Sequence, residues 1–232
     1  MNFNLFRSQI RGIIGNYPIL FYSLYGLKSL NRRLSVQQDT QLVIEGFPRS
    51  GNTFAVLAFE HLQSSSIKLA HHLHVIAQVK RAVQYSIPTL ILIRDPKDVT
   101  ISLIMRNPEA TLLSILNGYI DYYTTISLYK DHFVTADFKE LINDYASVIR
   151  AINIKFNTKF QEISPTPDDQ DIIFAKISEL SKIYVNGDKS KAAYPSAEKK
   201  ALKEYWATKI DAPCLAPILS KAYSVYQEFF VK

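Results

Sequence analysis

Two short apolar runs, each followed by a tight turn and a helical pattern, limit the folds open to this chain. Residues 42–44 are aliphatic and end at Gly46, and residues 89–94 form a longer run that is apolar on both faces. Runs of this kind predict buried strands, because a strand covered on both faces lacks polar alternation. Helical spacing follows over 52–62 and again from 96 to about 107. Strands that alternate with helices predict parallel βαβ units with right-handed crossovers.

The remaining patterns add two strands and a largely helical second half. Short apolar runs predict strands at 67–70 and 133–136, and apolar spacing predicts a helix over 75–85. Pro, Gly, Ser and Asp predict loops at 163–169 and 186–195, the second of them basic. Further helices are predicted at 111–129, 138–152, 170–183, 196–209 and 213–230.

Composition excludes several classes of protein. Apolar residues make up 47% and charged residues 21% of the chain, which are ordinary globular values and exclude a disordered protein. A single cysteine, Cys214, excludes an internal disulfide and a Cys-rich zinc site, so we expect a reducing, cytoplasmic location. Residues 1–116 carry 12 Lys or Arg and 6 Asp or Glu, whereas 117–232 carry 15 of each. That excess predicts an anionic partner, but no basic recognition helix or zinc finger points to nucleic acid.

The N-terminal segment, residues 1–40, is basic and partly apolar, and it precedes a single domain predicted at 41–232. Residues 18–27 are apolar and aromatic with basic neighbours on both sides. This run is far shorter than the roughly 20 residues that a membrane-spanning helix needs, and no small-residue cleavage site follows it. We interpret the segment as a helix packed on the domain, with peripheral contact to an acidic lipid surface as the alternative.

The turn after the first predicted strand has the spacing of a phosphate-binding loop. Gly46 and Gly51 are separated by four residues and Thr53 follows, but Asn52 stands where a nucleotide triphosphatase has lysine. Such a loop binds anions through backbone N–H groups and the positive end of the helix dipole. Its cation here is Arg49. The alternative is a simple Gly/Pro turn before a capped helix. The fold class predicted is therefore an α/β domain of the P-loop type, with three layers, a central parallel sheet flanked by helices, and a helical C-terminal half.

Two segments resemble the nucleotide-binding motifs of sulfotransferases that use 3′-phosphoadenylyl sulfate (PAPS). Residues 48–54 resemble that family's 5′-phosphosulfate loop, Pro-Lys-Ser-Gly-Thr-Thr-Trp. Residues 93–102 resemble its 3′-phosphate segment, in which an arginine and a serine, here Arg94 and Ser102, clamp the 3′-phosphate. The resemblance covers about 41–106. It implies that PAPS is bound by Arg49, Ser50, Gly51, Asn52, Thr53, Phe54, Arg94 and Ser102, with Arg49 also catalytic and with no metal.

The chain departs from the family pattern at several points. Arg49 stands where most members have lysine, and Phe54 replaces the tryptophan expected to stack on the adenine. The family's C-terminal Arg-Lys-Gly phosphate-binding segment is absent. The basic residues nearest to replacing it are Lys189, Lys191, Lys199, Lys200 and Lys203, although a solvated helix face is the preferred interpretation of these lysines.

Four of the five histidines lie between residues 61 and 74. A zinc site would need ligands that are remote in sequence, and a structural role is open for any single histidine. A catalytic role has a chemical motive, because an acceptor hydroxyl needs a base when it attacks. The resemblance implies a base between the two nucleotide motifs. His72 has the spacing that the family pattern suggests and is preferred, with His74 as its rival.

Together these features predict a sulfotransferase that moves a sulfuryl group from PAPS to an acceptor hydroxyl or amine. The acceptor would be a small molecule, a lipid or a glycan. The alternatives are a P-loop phosphotransferase or kinase, and a nucleotide-binding protein without catalysis. We expect the tyrosines of the helix at 111–129 in the core rather than around the acceptor.

Overall fold

The computed structural model describes residues 14–25, 29–184 and 197–230. In this part of the chain four strands form one parallel sheet in the order β2-β1-β3-β4. The strands are β1 (Leu42–Gly46), β2 (Leu69–His71), β3 (Thr89–Ile93) and β4 (Val134–Asp137).

Helices precede, connect and follow the strands. Short 3₁₀ turns occur at Lys130–His132 and Pro213–Leu215. The α-helices are α1 (Pro18–Tyr25), α2 (Ser29–Leu34), α3 (Asn52–Leu62), α4 (Ile76–Gln84), α5 (Pro96–Arg106), α6 (Leu112–Ser127), α7 (Phe138–Asn143), α8 (Tyr145–Phe156), α9 (Pro167–Tyr184), α10 (Ala197–Ile210) and α11 (Ala216–Glu228).

The sheet is buried on both faces, which explains the unbroken apolar runs of its central strands. Leu90 and Leu92 face one core cluster, shared with α3 and α8. Ile91 and Ile93 face the other, shared with α5, α6 and α11. Successive side chains of a strand point to opposite faces, so this division places helices on both sides of the sheet. The three-layer α/β fold predicted from the sequence is confirmed.

Several boundaries differ from the predictions. The second strand covers Leu69–His71 rather than 67–70. The helix predicted at 138–152 is two helices, because Asp144 leaves the helical conformation and its carboxylate accepts a hydrogen bond from Ser147 N over 3.2 Å. The helix predicted at 170–183 begins at Pro167, inside the predicted loop. The basic loop predicted at 186–195 lies outside the described residues.

The first helix packs on the domain through one face. Phe21 of α1 is buried against Leu73, Val75 and Ala77. Among the described residues, no helix has both the length and the apolar character needed to cross a bilayer.

Candidate functional site

The candidate site lies at the carboxyl edge of the sheet. Gly46 of β1 pairs with Leu92, and Ile93 of β3 pairs with Asp137 of β4, so these three strands end at the same level. The loops that leave them therefore converge, as in open α/β sheets where ligands bind outside the carboxyl ends of the strands. Both segments that resemble nucleotide-binding motifs follow these strand ends.

The glycines of the first loop are required by its geometry. A Cβ on Gly46 would lie 2.4 Å from the Leu92 carbonyl oxygen, so only glycine allows the two strands to approach at this point. Gly51 has φ +98°, and a Cβ there would also lie 2.7 Å from the Phe138 ring. Both the left-handed conformation and the contact exclude a larger residue.

Helix α3 starts directly after this loop with its N-terminus open. Gly51 is the N-cap residue and no side chain caps the helix. The first N–H groups of a helix have no partner within the helix, and here they remain available for an anion. This geometry favours a phosphate-binding loop over a plain turn with a capped helix.

Two polar side chains of the loop are turned inward and brace it. Ser50 is fully buried, and its hydroxyl lies 3.2 Å from the hydroxyl of Tyr123. Tyr123 donates to the Leu92 carbonyl over 2.7 Å and accepts from Phe47 N. The Asn52 amide donates to the Phe47 carbonyl over 3.2 Å. The sequence predicts only a core position for Tyr123, but its hydroxyl also holds the loop in place through Phe47 and Ser50.

The two segments that resemble nucleotide-binding motifs contact each other through arginines. Arg49 donates from Nε to the Ser102 hydroxyl over 2.9 Å, and Arg94 donates from Nη1 to the Arg49 carbonyl over 3.4 Å. Arg94 also lies 3.5 Å from the Asp98 carboxylate and 4.2 Å above the Phe138 ring. Its buried Nε has no hydrogen-bond partner among the described residues. An unpaired buried donor in a cationic site suits an incoming anion.

A third arginine, which the sequence analysis did not single out, belongs to the same cluster. Arg106 ends α5 one turn beyond Ser102, on the helix face that Arg49 contacts. Burial, followed by the charges of Arg106 and Arg94, lowers the pKa of Arg49 to about 10. In the described part of the chain no carboxylate pairs with Arg49 or Arg106, so the cluster keeps an excess of positive charge.

The histidine segment reaches the loop through Thr53. The Thr53 hydroxyl lies 3.1 Å from Nε2 of His72. Nδ1 of His72 lies 2.6 Å from Nδ1 of His71. Burial, followed by the charges of His71 and His74, lowers the pKa of His72 to about 3, and burial lowers that of His71 to about 4. Both imidazoles are therefore neutral at pH 7.

A buried carboxylate holds this segment against β1. Glu45 is fully buried and accepts hydrogen bonds from the backbone N–H groups of Leu73 (2.8 Å) and His74 (3.0 Å) and from the Gln78 amide (3.1 Å). Nδ1 of His74 donates to the Gly46 carbonyl over 2.8 Å. Burial raises the pKa of Glu45. The sequence signal for such a role is an acidic residue inside an otherwise apolar strand.

Backbone conformation supports a functional interpretation of both segments. Of the five described residues other than glycine with positive φ, three lie in these segments: Arg49, His72 and His74, at 73°, 60° and 52°. Residues other than glycine adopt this left-handed region at a cost, and such residues cluster at active and binding sites.

Other predicted site residues are less directly placed. Phe54 is only 4% exposed and packs between Tyr145 and Phe174, with ring centroids 6.5 and 5.8 Å away, so its stacking on adenine stays a prediction. Lys203 lies 3.8 Å from the Asp98 carboxylate, and Lys200 is exposed. Lys189, Lys191 and the side chain of Lys199 lie outside the described residues. Across the ranges that the structure describes, no three His, Cys, Asp or Glu residues are grouped to hold a metal ion.

Comparison with known proteins yields structural matches only. No family model matches the chain, and no curated protein matches its sequence. Among solved structures, mouse sulfotransferase SULT7A1 complexed with PAP is 14% identical, with 86% of this chain and 88% of that chain covered and a TM-score of 0.43. Retinol dehydratase in a complex with retinol and PAP is 12% identical, with 78% and 84% covered and a TM-score of 0.42. Likeness at this level leaves the function to be inferred from the contacts of the site itself.

Proposed function

We propose that this chain is a sulfotransferase that transfers the sulfuryl group of PAPS to the hydroxyl or amine of an acceptor. The observation that carries the proposal is the 3.1 Å contact between Thr53 Oγ1 and His72 Nε2. This contact places a neutral imidazole beside the loop that would bind the anion. A proton acceptor at that position matches a reaction in which an acceptor group must lose its proton as it attacks.

The loop would hold the reacting end of the nucleotide. The open N–H groups at the start of α3 and the Thr53 hydroxyl would bind the 5′-phosphosulfate. As the bond between sulfur and the bridging oxygen breaks, negative charge grows on the departing phosphate. Arg49 would stabilise that charge, provided that its guanidinium exchanges Ser102 for the substrate.

The arginine cluster would hold the 3′-phosphate. Arg94 offers its unpaired Nε, and Ser102 offers a hydroxyl one helical turn before Arg106. Arginine binds phosphate oxygens through a planar fork, and several arginines together suit a dianion. This arrangement would also supply the cations that the family's C-terminal segment, absent here, would otherwise contribute.

His72 is the proposed base. If Nδ1–H of His72 donates to His71, the lone pair on Nε2 faces Thr53 and the bound sulfate. The acceptor oxygen or nitrogen would attack sulfur, its proton would pass to Nε2, and 3′-phosphoadenosine 5′-phosphate would leave. A sulfate next to the imidazole raises its pKa above the low value of the free site, which strengthens the base when it is needed. His74, which is tied to Gly46 and Glu45, would position the segment.

Radiolabelled PAPS offered with a panel of hydroxyl and amine acceptors tests the proposal. We expect metal-independent transfer in the unaltered protein, and a loss of roughly 100-fold or more in His72→Ala with little change in nucleotide affinity. His74→Ala is the matched neighbour and should retain more transfer than His72→Ala. The reverse order would move the base to His74. A strict Mg²⁺ requirement with ATP as donor would favour a kinase, and tight PAPS binding without transfer to any acceptor would favour a nucleotide-binding protein.

A further inference from the structure

Helix α1 is apolar and aromatic except for the exposed Ser23, but the protein covers only one of its faces. Phe21 is 2% exposed, whereas Ile19 is 81%, Leu24 58% and Leu20 51% exposed. Tyr17, just before the helix, is 57% exposed. Helices that are hydrophobic on every side are normally buried on every side. The outward face, defined here as Tyr17, Ile19, Leu20 and Leu24, therefore lacks a cover within the described part of the chain.

The orientation of this face is fixed by contacts on the opposite side of the helix. Tyr22 donates to the Gln78 amide oxygen over 3.1 Å, and the Arg81 guanidinium lies 3.1 Å from the centre of the Tyr22 ring. Just before the helix, the Gly15 carbonyl accepts a hydrogen bond from Ala77 N over 2.7 Å. With one side anchored to α4 in this way, the outward face cannot turn into the core without breaking these contacts.

Positive charge lies close to α1, because Nζ of Lys80 donates to the carbonyl of Asn16, next to Tyr17, over 2.9 Å. Gln78 also donates to the Leu34 carbonyl over 2.9 Å, which ties the end of α2 to the residue that holds α1. Arg32 and Arg33, one and two residues before Leu34, are exposed. In the sequence, residues 1–38 include five basic residues and no acidic one.

We propose that the outward face of α1, together with Arg32 and Arg33, docks on an anionic lipid surface. An apolar helix face bordered by basic residues is the chemistry of interfacial membrane binding, in which side chains enter the acyl boundary and cations bind acidic headgroups. A second copy of the chain fits less well, because pairing two such faces would bring like charges together. The proposal is independent of the proposed function, since it concerns binding alone.

Sedimentation of the full chain with vesicles tests this proposal. Vesicles of phosphatidylcholine with added phosphatidylserine should bind the protein, and added salt should weaken binding. The triple variant Ile19→Ser/Leu20→Ser/Leu24→Ser should lose about tenfold or more in partitioning, and Arg32→Gln or Arg33→Gln about fivefold each. Leu128→Ser is the control, because Leu128 is 80% exposed directly after α6 and is not part of the outward face, so its loss should leave binding unchanged.

Two results would overturn the proposal. One is an intact protein that does not bind phosphatidylserine vesicles, or a triple variant that binds them as well as the intact protein. The other is an intact protein that forms a dimer and does not bind vesicles, together with a triple variant that is monomeric. That result would make the outward face a contact between two copies of the chain. Thermal unfolding checks that the variants are folded. If the triple variant is not folded, the single variant Ile19→Ser replaces it, and we expect its vesicle binding to be several-fold weaker than that of the intact protein.

Discussion

Arg49 donates to the hydroxyl of Ser102 over 2.9 Å, so a side chain of the first loop contacts one from the middle of α5. The two residues belong to the two segments that resemble nucleotide motifs, and they are 53 positions apart in sequence. Their contact makes one cationic site from segments that follow different strands. It also means that a nucleotide must compete with Ser102 for Arg49.

Ser102→Ala should weaken nucleotide binding only when a 3′-phosphate is present. The lost hydroxyl would have bonded a charged group, and such a bond contributes about 1.5–3 kcal/mol, or roughly tenfold or more in affinity. Calorimetry with 3′-phosphoadenosine 5′-phosphate should show this loss, while AMP affinity should hold. An equal loss for both nucleotides would remove Ser102 from the 3′-phosphate site.

Arg106→Gln should reduce the affinity for 3′-phosphoadenosine 5′-phosphate by about tenfold or more, because one of three clustered cations is removed. Lys203→Gln is the matched control. Lys203 is a largely exposed cation that already lies 3.8 Å from Asp98, so we expect a smaller effect. If Lys203→Gln loses more affinity than Arg106→Gln, the third cation of the nucleotide site is Lys203 of α10 and not Arg106.

Glu45→Ala should destabilise the fold by about 3 kcal/mol, because it leaves the buried N–H groups of Leu73 and His74 without their acceptor. Glu60→Ala removes an exposed carboxylate of α3 and should change the free energy of unfolding by less than about 0.5 kcal/mol. Urea denaturation measures both. A cost below about 1 kcal/mol for the Glu45 variant would show that Glu45 does not hold the histidine segment.

Acid should destabilise the protein through His72. Its pKa is about 3 in the folded protein and about 6.5 in the unfolded chain, so between these values the unfolded state binds more protons and stability falls as pH falls. This one histidine should cost about 2 kcal/mol on going from pH 7 to pH 5. Urea denaturation at both pH values should show a smaller drop in His72→Gln than in the unaltered protein. The same drop in both proteins would mean that His72 titrates normally when folded.

The sequence predicted those parts of the fold and site that depend on local patterns. The runs at β1 and β3 are apolar on both faces, and Gly46 and Gly51 mark a loop whose geometry only glycine allows. The helix break at Asp144 could not be predicted, because the apolar spacing continues through it. The break depends on a single side chain, since the Asp144 carboxylate caps the next helix instead of lying within a continuous one.

The supporting residues of the site could not be predicted in the same way. Tyr123 and Arg106 act from helices whose position against the loop depends on the packing of α5 and α6 on the sheet. Apolar helical spacing shows that a tyrosine is buried, but it does not show whether the tyrosine hydroxyl contacts a loop or another core residue. Such contacts become visible only when the elements are assembled.

The affinity of the protein for 3′-phosphoadenosine 5′-phosphate relative to AMP tests the central claim most directly. If the two segments form one nucleotide site, Arg94, Ser102 and Arg106 bind a phosphate that AMP lacks. Calorimetry should then show 3′-phosphoadenosine 5′-phosphate binding at least about tenfold more tightly. Equal affinity for the two nucleotides, or no binding of either, would contradict the account.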